Sequence, residues 1–318
     1  MTIPSVKSRA TVARAIEWPT VALAAAIYGG WLGITYFHAD IPWWILCPAG
    51  AWLICWQSSL QHEILHGHPT RWRRLNRLLA LPSLSLWLPY EHYRVAHLMH
   101  HRDERLTDPL DDPESYYWTE GLWGSLHRLW RPLLRLQTTL LGRLLIGPAW
   151  TVPRFFLKQL EAWRQGSPVA RRAWRSHLVP LALLLAWLVL VCKMNLLLYI
   201  FGMAYPAVSL MMLRSFAEHR AASDVFERTA IVENAPILGL LYLYNNLHAA
   251  HHERPTLPWY EIPAWYRANR ERLILDNNGL VYGGYLDVAR RYLLRPHDGV
   301  LHPLGRAPGL RAVATGQG

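Results

Sequence analysis

The sequence predicts an all-α integral membrane protein, with about four transmembrane helices in two hairpins and a cytoplasmic helical cap. Three observations lead there: four apolar blocks in two adjacent pairs, arginines gathered outside them, and histidines concentrated just beyond the hairpin ends. Apolar residues make up 52% of the 318 residues and charged ones only 17%. A chain this apolar can bury a core, which excludes intrinsic disorder. Cys47, Cys55 and Cys192 are too few and too scattered for a disulfide framework or a cysteine zinc site, which excludes a small secreted domain and a zinc finger.

Lys7, Arg9 and Arg14 form a cationic leader. Residues 18–37 then run about twenty positions without a charge, roughly 30 Å of helix and the thickness of a bilayer core. This block exceeds the apolar region of a signal peptide and reads as a retained anchor. A second block, 43–60, follows a connection from His38 to Pro42 that holds no Lys or Arg, so the pair forms a hairpin with both ends on one side. The second hairpin comprises 178–194 and 196–213, with its reversal near Lys193 and Asn195. Arg171, Arg172 and Arg175 precede it, and Arg214 and Arg220 follow. The positive-inside rule therefore places the leader, residues 61–177 and residues 214–318 in the cytoplasm, as parts of one domain in the inner membrane.

Between the hairpins, Leu122, Leu126, Leu129, Trp130 and Leu133 mark one helical stripe and Arg128, Arg131 and Arg135 another. The pattern fits a helix lying in the membrane interface or an ordinary amphipathic surface helix. The apolar runs at 75–89 and 237–244 are short for spans and are read as interfacial or re-entrant segments. The tail after Pro303 is predicted to be loose. The net charge is +11, but 30 of the 33 basic residues are Arg, interleaved with Trp and Leu along the whole chain. That distribution marks interfacial anchors rather than a nucleic-acid surface.

The histidines carry the chemistry. Directly after the second block comes Gln61-His62-Glu63-Ile64-Leu65-His66-Gly67-His68. On a helix, His62 and His66 share a face about 6 Å apart along the axis, so two imidazoles can converge on a metal. His97-Leu98-Met99-His100-His101 and His248-Ala249-Ala250-His251-His252 repeat the spacing His-x-x-His-His, which puts three imidazoles on one helical stripe. With 16 histidines in the chain, chance gives roughly 0.04 such triplets where two occur. Eight imidazoles exceed the needs of one tetrahedral ion and suit two ions with higher coordination numbers and an open position. Ligand type alone is compatible with Fe, Cu, Zn or Ni.

Three His boxes in this order, interleaved with two hairpins, resemble the membrane-bound fatty acid desaturases and their alkane- and acyl-hydroxylase relatives, from the first span to about Pro258. The resemblance implies two non-haem irons that activate dioxygen, held by His62, His66, His97, His100, His101, His248, His251 and His252. Glu218-His219 looks like the additional His that this family carries after its last span, so the resemblance adds His219 to the ligands. Asn245 and Asn246 occupy a region where the family often has an Asn. The implied substrate is a lipid or hydrocarbon chain, desaturated or hydroxylated, with oxidative decarboxylation or another hydrocarbon monooxygenation as the alternative. The sequence holds no haem or ferredoxin module, so electrons are expected from an external donor such as ferredoxin or rubredoxin with its reductase.

No catalytic residue beyond the metal centre is expected. Asp103, Glu104, Asp108, Asp111 and Asp112, with Glu63 and Glu218, are placed to hold imidazole N–H groups. The acidic run reads equally as a solvated loop or a docking surface for Arg71, Arg73 and Arg74. His68 and His92 are read as supporting or structural. His38, His127, His177, His297 and His302 are isolated and carry no assigned chemistry. Two other classes compete. His62-Glu63-x-x-His66 matches the motif of a zinc metalloprotease, with Glu63 activating water, but leaves both His-x-x-His-His groups unexplained. A metal carrier needs ionisable groups inside its spans, and these four blocks hold no acidic residue and no His.

Overall fold

The computed structural model describes residues 16–305, so Lys7, Arg9, Arg14 and positions 306–318 lie outside the described residues, as does the Asp103 side chain. Helix α1, Trp18–Tyr36, begins with Pro in its first turn, and α2, Trp43–Leu65, returns alongside it. α2 runs unbroken from the apolar block into the first His box, so His62 rides on the same rod that packs against α1. After α3 (Arg73–Ala80) and α4 (Tyr90–His100), the chain passes through α5 (Glu120–Ser125) and α6 (Trp130–Leu136). The long α7, Leu140–Arg164, is opened by Thr139, whose hydroxyl accepts the Gly142 N–H at 3.1 Å. A turn at Gly166 (φ 79°) leads to α8, Pro168–Ala186, capped by Ser167 and continued by a π-helical turn over Trp187–Val191.

The reversal comes where expected. Lys193 adopts a left-handed φ of 54°, and the Asn195 side chain accepts the Leu197 N–H at 2.8 Å. A π-helical stretch, Leu198–Ala204, then runs into α9, Tyr205–Glu218. α9 packs against α2 on one side and α7 on the other. Buried polar contacts lock the two hairpins together. Trp31 donates to Tyr199 at 3.0 Å, the Tyr199 hydroxyl donates to the Leu84 carbonyl at 2.7 Å, and Trp187 donates to Thr35 at 2.9 Å. At the crossing of α2 with the π-helical stretch, a Cβ on Gly50 would lie 2.6 Å from Met203, so glycine permits the close approach.

The rest of the chain covers the His-bearing ends: α10 (Pro236–Leu241), α11 (His248–Glu253), α12 (Ile262–Asp276) and α13 (Tyr285–Tyr292). Among the described residues the fold is mostly helical, with a two-stranded sheet in which β1, Ile231–Val232, pairs in parallel with β2, Val281–Tyr282. This pairing pins the segment between α9 and α11.

Several expectations change. Pro168–Val191 and Leu198–Glu218 are long and apolar enough to cross a membrane. α1 and α2 are less apolar along their length, with Trp, Thr, Tyr and Gly in α1 and Trp, Gln, Ser, His and Glu in α2 among their Ala, Ile and Leu. The helices also overrun the predicted spans: α2 continues to Leu65, α8 starts at Pro168, and α9 ends at Glu218. The predicted stripe from Leu122 to Leu133 is two short helices with a break at 126–129, which follows the weak helix formers Gly124 and Ser125 at the end of α5. The runs 75–89 and 237–244 hold only short helices, α3 and α10.

A Cβ on Gly142 would collide with the Leu136 carbonyl, a backbone atom that cannot swing aside. Gly142→Ala is expected to cost about 1–3 kcal/mol, read as a lowered Tm in detergent. Gly121→Ala, with nothing within 4 Å, is the control expected to leave Tm unchanged, and equal melting of the two variants would refute the collision.

Candidate metal centre

Four elements deliver imidazoles to one place. The last turn of α2 brings His62 and its C-cap His66, and the last turn of α4 brings His97 and His100 with the C-cap His101. His219 follows α9 in an extended conformation, bridged to Thr229. α11 carries His248, His251 and His252. α11 is positioned by Leu243 and Tyr244, both left-handed (φ 50° and 58°), and by Asn246, whose amide donates to the Val232 carbonyl at 2.7 Å.

The nine histidines form two sets, with the donor atoms of each within 4.8 Å of one another: His62, His66, His97, His101 and His251, and beside them His100, His219, His248 and His252. The division runs through the boxes. The i and i+4 residues of box two, His97 and His101, join the first set, while the i+3 residue, His100, joins the second. Box three does the reverse, with His248 and His252 in the second set and His251 in the first. The expected single stripe is therefore shared between two sites. Position i+4 lies about 40° around the helix from i, and i+3 lies about 60° to the other side, so one turn faces two neighbours.

Within the sets the ring nitrogens nearly touch. Nε2 of His101 lies 2.9 Å from Nε2 of His97 and 3.0 Å from that of His251. In the second set, Nε2 of His219 lies 2.9 Å from His100 and 2.8 Å from His248, and His248 lies 3.1 Å from His252. The outer nitrogens explain why this matters. His219 Nδ1 faces the Arg228 carbonyl at 3.2 Å, and His248 Nδ1 faces Asn245 Oδ1 at 3.1 Å and Glu218 Oε1 at 3.3 Å. These partners only accept, so both Nδ1 atoms carry the proton of a neutral ring and both Nε2 atoms present lone pairs. Two lone pairs 2.8 Å apart repel unless a cation is shared between them. In the first set, Nε2 of His66 is buried with no hydrogen-bond partner. The donor chemistry therefore fits metal ions, one for each set.

Electrostatics agrees. Burial, reinforced by neighbouring imidazoles, lowers the pKa of His62, His66, His248, His251 and His252 and that of His219 well below the ordinary range, and brings His101 down to about 2. Burial also lowers His97, against Glu114. His100 is the exception. Burial opposes its charge, but Glu114 and Asp112 together raise it to about 9.

Of the anticipated supporting carboxylates, Asp112 accepts from His100 Nδ1 at 2.9 Å and Glu218 faces His248. Asp108 instead accepts the N–H groups of Leu110 and Asp111, Asp111 pairs with Arg105 at 3.7 Å, and Glu104 is exposed. Glu63 turns away from both sets: it accepts the Trp259 N–H at 3.0 Å and faces His68, and burial pushes its carboxyl up to about 7. His68 bonds Glu17 at 2.7 Å, and His92 contacts Gln159 at 3.3 Å, so neither joins a set. Two residues were not anticipated. Glu114 accepts from His97 Nδ1 at 2.9 Å, and Arg228 offers its carbonyl to His219 while its guanidinium donates to the Leu106 and Ala222 carbonyls. Glu114 lies in the same acidic run as Asp112, two positions on, a spacing that was a usable signal. Nothing in the sequence marks Arg228 among 30 arginines.

A family model described as fatty acid desaturase matches residues 41–285 of the chain. No curated protein matches it.

Asp112→Asn removes the carboxylate that orients His100 and is expected to weaken metal binding about 10–100-fold, measured by competition with a chelator; unchanged affinity would refute the role. The lowered imidazole pKa values also set the sign of a pH effect. Below the ordinary value of 6.5 the unfolded chain takes up protons that the folded rings refuse, so stability falls as pH falls. Metal-free protein is therefore expected to lose Tm between about pH 7 and about pH 5, whereas a flat or rising Tm across that window contradicts the buried neutral rings.

Proposed function

Because the chain belongs to the fatty acid desaturase family, we propose that it is a membrane-bound, dioxygen-dependent oxidoreductase that desaturates or hydroxylates an unactivated C–H bond of a fatty acyl or related hydrocarbon chain. The observation that carries this reading is the pairing of two adjacent all-imidazole sets, five and four rings, at the ends of apolar helices. Iron held by both sets would supply, with dioxygen and two electrons per turnover, an oxidising strength that no side chain has. Ferredoxin or rubredoxin with its reductase is the class of donor the proposal calls for.

The chain's own residues do the rest. Apart from His100, whose charge Glu114 and Asp112 favour, the imidazoles are held neutral, and Asp112, Glu114, Asn245 and the Arg228 carbonyl accept from outer ring nitrogens. The Asn245 amide reaches His62 Nε2 at 3.4 Å and also accepts from His248, tying the two sets together. Burial of most of the nine rings keeps bulk water away from the reacting carbon. A cavity of about 20 Å³ lined by Asp112, Glu114, Tyr116, Glu218 and His219 has room for one water. In this proposal the four apolar helices α1, α2, α8 and α9 lie in the inner membrane with the metal centre on the cytoplasmic side, a placement supported by Arg171, Arg172 and Arg175 in the opening turns of α8 and by Arg220 after α9. The metalloprotease reading loses its base, since Glu63 groups with Glu17 and His68 rather than with His62 and His66.

Lipid and hydrocarbon profiling of a host expressing the protein with a ferredoxin pair tests the reading. A new double bond, alcohol or terminal alkene is expected with wild type and absent with His100→Ala, alongside about two irons per chain. Purified protein with zinc and peptide cleavage, or products that persist in His100→Ala, would overturn it.

A further inference from the structure

At the start of α8, far along the chain from the His sets, four arginines line one cavity. Arg77 of α3 and Arg171, Arg172 and Arg175 of α8, with Gly166, Pro168 and Ser176, surround about 560 Å³. Arg77 pairs with Glu91. The Arg171, Arg172 and Arg175 side chains are exposed and make no hydrogen bond or ion pair among the described residues. Their placement works against the helix twice over. Arg171 closes the first turn, where the macrodipole disfavours a cation and no acidic residue offsets it, and Arg171 and Arg175 repel as an i,i+4 pair. An anion in the cavity relieves both effects.

What lies below the cavity indicates which anion. Arg172, Val179 and Leu183 fall on one stripe of α8, at i, i+7 and i+11, and Val179 and Leu183 are 66% and 67% exposed. Leu178 beside them is 54% exposed. A guanidinium cluster followed along one face by exposed apolar residues, the last of them about 16 Å down the axis from Arg172, matches an anionic phospholipid, phosphate above and acyl chain below. Guanidinium groups pair with phosphate oxygens two at a time, which suits this chemistry better than a single point charge does.

We propose that the cavity formed by Arg77, Arg171, Arg172 and Arg175 binds the phosphate of a net-anionic phospholipid headgroup whose acyl chain lies along Val179 and Leu183. The site rests on α8 entering the membrane and needs no oxidation chemistry, so its failure leaves the proposed oxidation untouched.

The test uses purified full-length protein in detergent, titrated with phosphatidylglycerol, phosphatidylcholine or inorganic phosphate, with retained lipid counted by native mass spectrometry and Tm followed in parallel. Phosphatidylglycerol is expected to be retained and to raise Tm at concentrations where phosphatidylcholine does neither. The variant Arg171→Gln/Arg172→Gln/Arg175→Gln is expected to weaken this by at least about tenfold, with Arg172→Gln alone intermediate and giving the answer should the triple variant not fold. Arg267→Gln/Arg290→Gln/Arg295→Gln removes the same charge elsewhere and is expected to keep the effect. Equal retention of the two lipids, an undiminished effect in the first triple variant, or an equal loss in the second overturns the proposal. The same Tm rise from inorganic phosphate alone assigns the cavity to a soluble phosphate and overturns the lipid.

Discussion

Lone pairs brought within 3 Å of one another, as on His219 and His248, govern the rest of this molecule. Such an arrangement is self-repelling without a cation, and each ring also resists burial if protonated. The protein holds it by fixing the outer nitrogen of each ring where it can. Asp112, Glu114, the Arg228 carbonyl and Asn245 each accept one N–H, the first two from one turn and the others from two further segments of the cap. The supporting shell is thus spread through sequence, and the loops bearing it are in turn tied down. Arg228 clasps the carbonyls of Leu106 and Ala222, and β1 pairs with β2 beside α11.

The apolar helices supply the frame on which this is possible. α2 is long, buried on its inner face, and continuous from the hairpin to His62. Trp56 donates to the Leu240 carbonyl at 3.0 Å, which fastens α10, and through it the approach to α11, to that same rod. α9 ends one residue before His219 and carries Arg214 and Glu218, paired at 2.8 Å in a buried position. His62, His66 and His219 therefore sit at the ends of long packed helices, which set their backbone direction.

Much of this was legible in the sequence because it depends on local periodicity. The reversal at Lys193 and Asn195, the start of α1 at Trp18 and the convergence of all three boxes followed from charge gaps and from i, i+3, i+4 spacing. What was not legible depends on tertiary contact. The division of each box between two sites follows from where neighbouring helices stand, which spacing does not encode. α7 was missed because Pro148 and Pro153 interrupt its pattern, yet it stands the length of α9 as a packed neighbour. Glu63 looked like a supporting carboxylate or a zinc-protease base by adjacency to His62. A side chain one residue along a helix points about 100° away, and it reaches Trp259 and His68 instead.

The shared turns of α4 and α11 have a consequence for how the centre assembles. Each of these two helices serves both sets, so in the proposed metal centre an ion held by His97, His101 and His251 would also fix the turns that bear His100, His248 and His252. The second ion then meets donors whose conformational entropy has already been lost, and its apparent affinity rises by that amount. Under the proposed two-ion loading, filling would be cooperative and the half-filled centre the disfavoured species.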